Sequence, residues 1–147
     1  MASAMFNKGK AAIMDGSIDL LTGVIRAMLM KSSYTANVDH DYVSDISADE
    51  IYTPGTNGYT RQTCASPTVT EDDTNNRAAF DCADQAFGSI TTGVTIGGVL
   101  YYVQTGGSDA TPTNDVLLCY TEYAAGIPTN GAAVTNVVNA SGVFYLA

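Results

Sequence analysis

This sequence predicts an all-β fold, an antiparallel β-sandwich with a short N-terminal helix or arm, and three observations carry that expectation. Short apolar runs recur along the chain, and clusters of Gly, Pro, Asn, Asp and Thr separate them at close intervals. Only 14% of the 147 residues are charged, below the usual quarter, while 46% are hydrophobic. Tyrosine is abundant at nine residues and tryptophan is absent. The length fits one domain that buries roughly two-thirds of its unfolded surface. No repeat or linker divides it, so the expected organisation is an arm or short helix over 1–20 and a sandwich over 21–147.

The elements follow in order. Residues 5–18 favour a helix of one to three turns, with Asn7 as cap, Ala11, Ala12, Ile13 and Met14 as helix formers, and Gly16 as the stop. Gly9 weakens it. Val24–Met30 is the first strong strand, with Ile25, Ala27 and Leu29 on one face and Arg26 marking the other as partly wet. Residues 32–60 are polar and turn-rich. They hold one helical turn near Tyr42–Ile46, followed by Asp49-Glu50-Ile51, and turn signals at Pro54-Gly55 and Asn57-Gly58.

From residue 67 the strands are dense. Pro67–Thr70 and Arg77–Cys82 form a hairpin around the acidic turn Glu71–Asn76, with Ala78, Phe80 and Cys82 expected inward. Gly97–Gln104 is apolar on both faces, so it lies centrally or faces a partner. Val116–Tyr123, Ala133–Val138 and Gly142–Leu146 complete six to eight strands. The expected connection is jelly-roll-like, although periodicity does not separate it from an immunoglobulin-like one.

Charge and cysteine usage narrow the function classes. A net charge of −9 with six basic residues argues against a nucleic-acid groove or an anionic membrane surface. Three of those six, Lys8, Lys10 and Arg26, fall in the first thirty positions. Cys64, Cys82 and Cys119 lack CxxC spacing and are expected to be buried, reduced thiols. The N-terminus does not show a basic segment followed by an apolar run, and no stretch approaches the about eighteen apolar residues of a membrane span. Synthesis and folding in a reducing cytoplasm are expected.

Chemistry is sparse, and each candidate has a structural reading beside it. Glu71-Asp72-Asp73 with Asn75 and Asn76 offers oxygen ligands for calcium but lacks EF-hand spacing, so a turn explains it better. Asp39-His40-Asp41 sets the only histidine between carboxylates, yet no nucleophile motif accompanies it. Gly93–Gly98 has no Walker lysine, and Asn139-Ala-Ser141 fits a turn better than a glycosylation site. Tyr101, Tyr102, Tyr120, Tyr123 and Tyr145 all fall on strands, where tyrosine serves cores and interfaces equally. No catalytic, cofactor or metal residue is named, and a small hydrolase is disfavoured.

The order of segments resembles small structural proteins of tailed bacteriophages. The resemblance rests on Met28-Leu-Met-Lys-Ser-Ser-Tyr-Thr35, the acidic stretch Val38–Ile46, the strand–turn–strand cassette Thr68–Asp81, and the ending Asn139-Ala-Ser-Gly-Val-Phe-Tyr-Leu-Ala147. It covers nearly the whole chain and is most similar to capsid cement, or decoration, proteins. It implies a virion component that binds the outer head shell and bridges major capsid protein subunits. Copies of itself, as dimer or trimer, are further expected partners. Neither nucleic acid nor membrane is expected, and no cofactor. The residues expected at the partner interface are Met5, Phe6, Lys8 and Lys10 on a wrapping arm over 1–10, with Tyr101 and Tyr102. The alternative for that arm is a helix packed on its own domain. The rival function is a tail-tip or fibre module recognising the host surface through loop aromatics such as Tyr52 and Tyr59.

Overall fold

The computed structural model describes residues 3–109 and 112–146. Met1 and Ala2 of the expected arm, two residues of the loop after Gln104, and Ala147 lie outside them.

The fold is mostly β, with antiparallel sheets and two short helices. In chain order the elements are β1 (Ser3–Met5), α1 (Asn7–Met14), β2 (Ile25–Lys31), α2 (Val43–Ile46), β3 (Gln62–Thr63), β4 (Thr68–Asp72), β5 (Arg77–Asp81), β6 (Gln85–Ser89), β7 (Thr95–Val103), β8 (Val116–Pro128), β9 (Ala133–Asn136) and β10 (Phe144–Leu146). A 3-10 turn over Ser47–Asp49 follows α2. The main sheet has the order β1-β8-β7-β2-β3, and two small sheets have the orders β10-β5-β4 and β6-β9. The strands thus divide five, three and two, whereas a jelly roll interleaves two sheets of similar size.

The main sheet is buried on both faces. On one, Leu29, Val99 and Tyr101 pack with Phe80, Phe87 and Phe144 from the small sheets, which makes the sandwich. On the other, Met28, Met30, Leu100 and Tyr102 pack with Phe6, Tyr34, Val43 and Ile46. This second layer corrects the reading of β2, whose Arg26 face was expected to be partly wet. Met28 and Met30 on that face are fully buried. Arg26 itself is half-buried, and its guanidinium donates to Arg61 O at 2.8 Å and to Gln104 Oε1 at 3.4 Å.

The N-terminal segment is built into the domain. β1 pairs with β8 in the register Ser3↔Thr121 to Met5↔Cys119, and Phe6 N donates to Leu118 O at 3.0 Å. Phe6 itself is fully buried. The wrapping arm over 1–10 is therefore not what the chain forms; its residues from Ser3 onward are an edge strand and a helix docked on their own sheet. Phe6, not Asn7, occupies the cap position of α1. Asn7 turns outward and donates to Asp39 Oδ1 at 2.9 Å. Gly16, with φ of +76°, ends the helical segment as expected.

Candidate interaction surface

Most of the interior polar groups fall into two networks. In the first, Arg61 grips the Glu50 carboxylate in a bidentate pair, Nε to Oε1 at 2.8 Å and Nη2 to Oε2 at 2.7 Å. Tyr59 completes it: its hydroxyl donates to Glu50 Oε1 at 2.6 Å and accepts from Leu29 N at 3.0 Å. Burial, followed by the Glu50 charge, pushes the Tyr59 hydroxyl well above the usual tyrosine range. Beyond Arg61, Tyr102 donates to Asp109 Oδ1 at 2.8 Å, and Gln104 donates to the same oxygen at 3.1 Å. Glu50 and Arg61 are almost wholly buried. Such a pair locks β2, the 50–61 loop and the 104–109 loop together, since losing either partner strands a buried charge.

The second network lies between the sheets. Asn136 Nδ2 donates to Gln85 Oε1 at 2.6 Å and to the Tyr101 hydroxyl at 2.8 Å, and Tyr123 donates to Asn136 Oδ1 at 3.0 Å. It ties β6 and β9 to β7 and β8. Burial pushes the Tyr123 hydroxyl up to about 12. Beside this network a shallow cleft of about 250 Å³ opens, with Tyr123, Ile127, Val137 and Val138 among its lining residues.

The candidate chemistry is dispersed. Asp39 accepts from Asn7, Asp41 faces Lys8 Nζ at 3.7 Å, and neither carboxylate is bonded to His40. The acidic turn is a hairpin connection: β4 pairs with β5 from Thr68↔Asp81 to Asp72↔Arg77. Asp72 accepts from Asn75 Nδ2 at 2.7 Å and from Arg77 Nε at 2.8 Å, so its charge is met within the turn. Asn139 forms the expected turn, accepting from Ser141 N at 2.8 Å. The cysteines are all buried, with no disulfide among them. Cys82 and Phe80 face inward as expected, but Ala78 is exposed at the end of β5 and Ala79 is buried instead.

The residues expected at the partner interface separate sharply. Phe6, Tyr101 and Tyr102 are core residues at 0–2% exposure, so they cannot touch a partner while the fold is intact. Met5 is half-buried on the β1 edge. Lys8 sits 4.7 Å from the Tyr42 ring centroid and beside Asp41, and Lys10 is exposed. The rival's loop aromatics fare similarly: Tyr59 is core, and half-buried Tyr52 donates to Thr92 O at 3.4 Å.

The apolar groups that do reach the surface are different ones. Val137 is 72% exposed and Ile127 43%, both at the cleft. Tyr145 lies on the outer face of the three-stranded sheet with Arg77 4.5 Å from its ring centroid, and Val69 is exposed on the β4 edge. Met14, Leu21 and Val24 form a third exposed group around the end of α1 and the entry to β2. Tyr145 is among the strand tyrosines expected to serve core or interface; nothing local marks the others as exposed, because strand and helix patterns do not say which apolar residue is left uncovered. Among the described residues, no helix is long and apolar enough to cross a membrane. None of the family models, curated proteins or solved structures compared with the chain matches it.

Proposed function

We propose that this chain is a structural protein of a tailed-bacteriophage virion, a cement protein that binds the outer head shell and bridges neighbouring major capsid protein subunits. The observation that carries this reading is the distribution of exposed apolar side chains. Val137 with Ile127 at the cleft, Tyr145 on the outer face of the three-stranded sheet, Val69 on its other face at the β4 edge, and Met14, Leu21 and Val24 around the end of α1 and the entry to β2 are exposed in separate places on one body. Two closed polar networks hold that body rigid. Several modest contacts presented by a rigid body bind through their sum, which suits a protein that spans subunits. Charge contributes little grip, because only six basic residues exist. The resemblance of the Thr68–Asp81 cassette and the chain ending to virion proteins points the same way.

The reading is tested by heating heads with and without the protein. Bare heads should release their genome at a lower temperature, and added protein should restore resistance. Val137→Asp with Ile127→Asp should weaken the restoration while leaving the melting of the free protein within about 1 °C, as for exposed sites generally. Equal heat resistance of bare and decorated heads would refute it.

A further inference from the structure

The chain places two of its three cysteines together. Cys64 follows β3 at the edge of the main sheet, and Cys82 follows β5 in the three-stranded sheet. The two segments run side by side: Ala83 N donates to Ala65 O at 2.9 Å, while Cys64 N donates to Ile25 O at 2.9 Å. Both side chains enter the same core cluster, and each thiol shifts the other's proton affinity. Gln85 Nε2 also points at the Cys82 sulfur, at 3.3 Å. Cys119 lies fully buried on β8.

We propose that Cys64 and Cys82 are a latent disulfide, closed by a peroxide-class oxidant, which staples the β4–β5 hairpin to the edge of the main sheet. The Ala83–Ala65 hydrogen bond joins the residues that directly follow the two cysteines, and both thiols enter one core cluster, so closing the bridge asks for a local adjustment of two strand ends and no rearrangement of the fold. The two sulfurs are not equivalent. The neighbouring Cys64 thiol, helped by Gln85, holds the Cys82 thiol below the usual cysteine range. Cys82 in turn, with burial, pushes the Cys64 thiol up. Cys82 is thus the attacking sulfur and Cys64 the resolving one.

The chemistry balances in two steps. The Cys82 thiolate attacks one oxygen of hydrogen peroxide; the O–O bond breaks, the departing hydroxide takes a proton to become water, and Cys82 becomes a sulfenic acid. The Cys64 sulfur then attacks the sulfenic sulfur, the S–O bond breaks, and the hydroxyl leaves as a second water with the Cys64 proton. Two thiols are oxidised and one peroxide is reduced to two waters. Cys64 and Cys82 keep only 5% and 7% exposure, so the oxidant has to be small. This inference does not depend on the virion reading; a free domain would show it.

The folded protein is treated with hydrogen peroxide, quenched, unfolded, alkylated and weighed without reductant. The expected product has lost two hydrogen atoms and carries one alkyl group, on Cys119. Digestion should join the tryptic peptide 62–77, which holds Cys64, to the fragment with Cys82 once a second protease has separated Cys82 from Cys119. The oxidised form should melt about 5–10 °C higher than the reduced form, and a thiol reductant should reverse the shift. In Cys64→Ala, Cys82 should instead gain oxygen atoms and no link should form. Should that variant not fold, the wild-type peptide map decides alone. Three alkylated cysteines after peroxide, a link that includes Cys119, or an oxidised form that melts no higher would each overturn the proposal.

Discussion

Gly9→Ala is the substitution that most cleanly separates helix propensity from packing in this protein. In an isolated helix the change stabilises by about 1 kcal/mol, because glycine has more backbone freedom to lose. Gly9, however, lies where α1 presses on β8. A Cβ built there meets Leu117 O at 2.4 Å and Leu118 Cα at 3.1 Å, both backbone atoms that no rotamer change can move aside. The helix cannot retreat easily either. Phe6 N is bonded to Leu118 O at 3.0 Å, Asn7 N to Val38 O at 2.9 Å, and the Phe6 ring is sealed in the core. Relieving the clash requires α1 to lift by about 1 Å, which thins dispersion contacts along its buried side. Overpacking of this kind costs about 1–3 kcal/mol, so the net change is a destabilisation of about 0–2 kcal/mol, opposite in sign to propensity. Urea unfolding followed by circular dichroism measures it, with Lys10→Gly as the control. Lys10 is exposed on the same helix, so the control should lose roughly 0.5–1 kcal/mol through propensity alone. A Gly9→Ala protein more stable than wild type by about 1 kcal/mol would refute the seating of α1 on β8.

Two other outcomes follow from the same geometry. Phe6→Ala should cost about 3–5 kcal/mol in urea unfolding, as a buried ring is lost from the second layer, whereas a wrapping arm would lose almost nothing. Asp45 accepts from Tyr42 N at 3.0 Å and Asp41 N at 2.9 Å, and these bonds hold its carboxyl below the ordinary value of 3.8. A lowered folded value means that the unfolded chain binds the proton first, so this contribution is present above pH 3.8 and fades as pH falls through the folded value. Asp45→Ala should cost about 1 kcal/mol at neutral pH, with the gap to wild type narrowing below pH 3.8 in thermal melts.

The sequence made the strong strands visible because each combines apolar residues with a nearby turn signal. Residues of β2, β7 and β8 and the β4–β5 hairpin were readable in this way, and their turns fall where Asn, Asp and Gly place them. Shorter elements were not. β6, Gln-Ala-Phe-Gly-Ser, has one large apolar residue, and its Gly88 adopts φ of +79°, so no alternation announces it. β1 has no β-branched residue and becomes a strand only because the edge of β8 is there to pair with. The same dependence on partners explains the misplaced interface. Tyr101 and Tyr102 point to opposite faces of β7, and local sequence cannot say that both faces are covered. Glu50 and Arg61 also escaped notice, since eleven positions separate them and nothing local marks a buried ion pair. The one hint was a basic residue standing alone in the acidic body. Cys64 and Cys82 were legible singly as buried thiols; their adjacency depends on the sheet edge.

Locating the protein on intact virions by cryo-electron microscopy tests the central claim most directly. The cement reading predicts density for this mostly β domain on the outer head shell. Each copy should touch at least two neighbouring capsid subunits, with Val137 and Ile127, or Tyr145, at the contacts. Density confined to the tail, or copies seated on a single subunit without bridging, would contradict it.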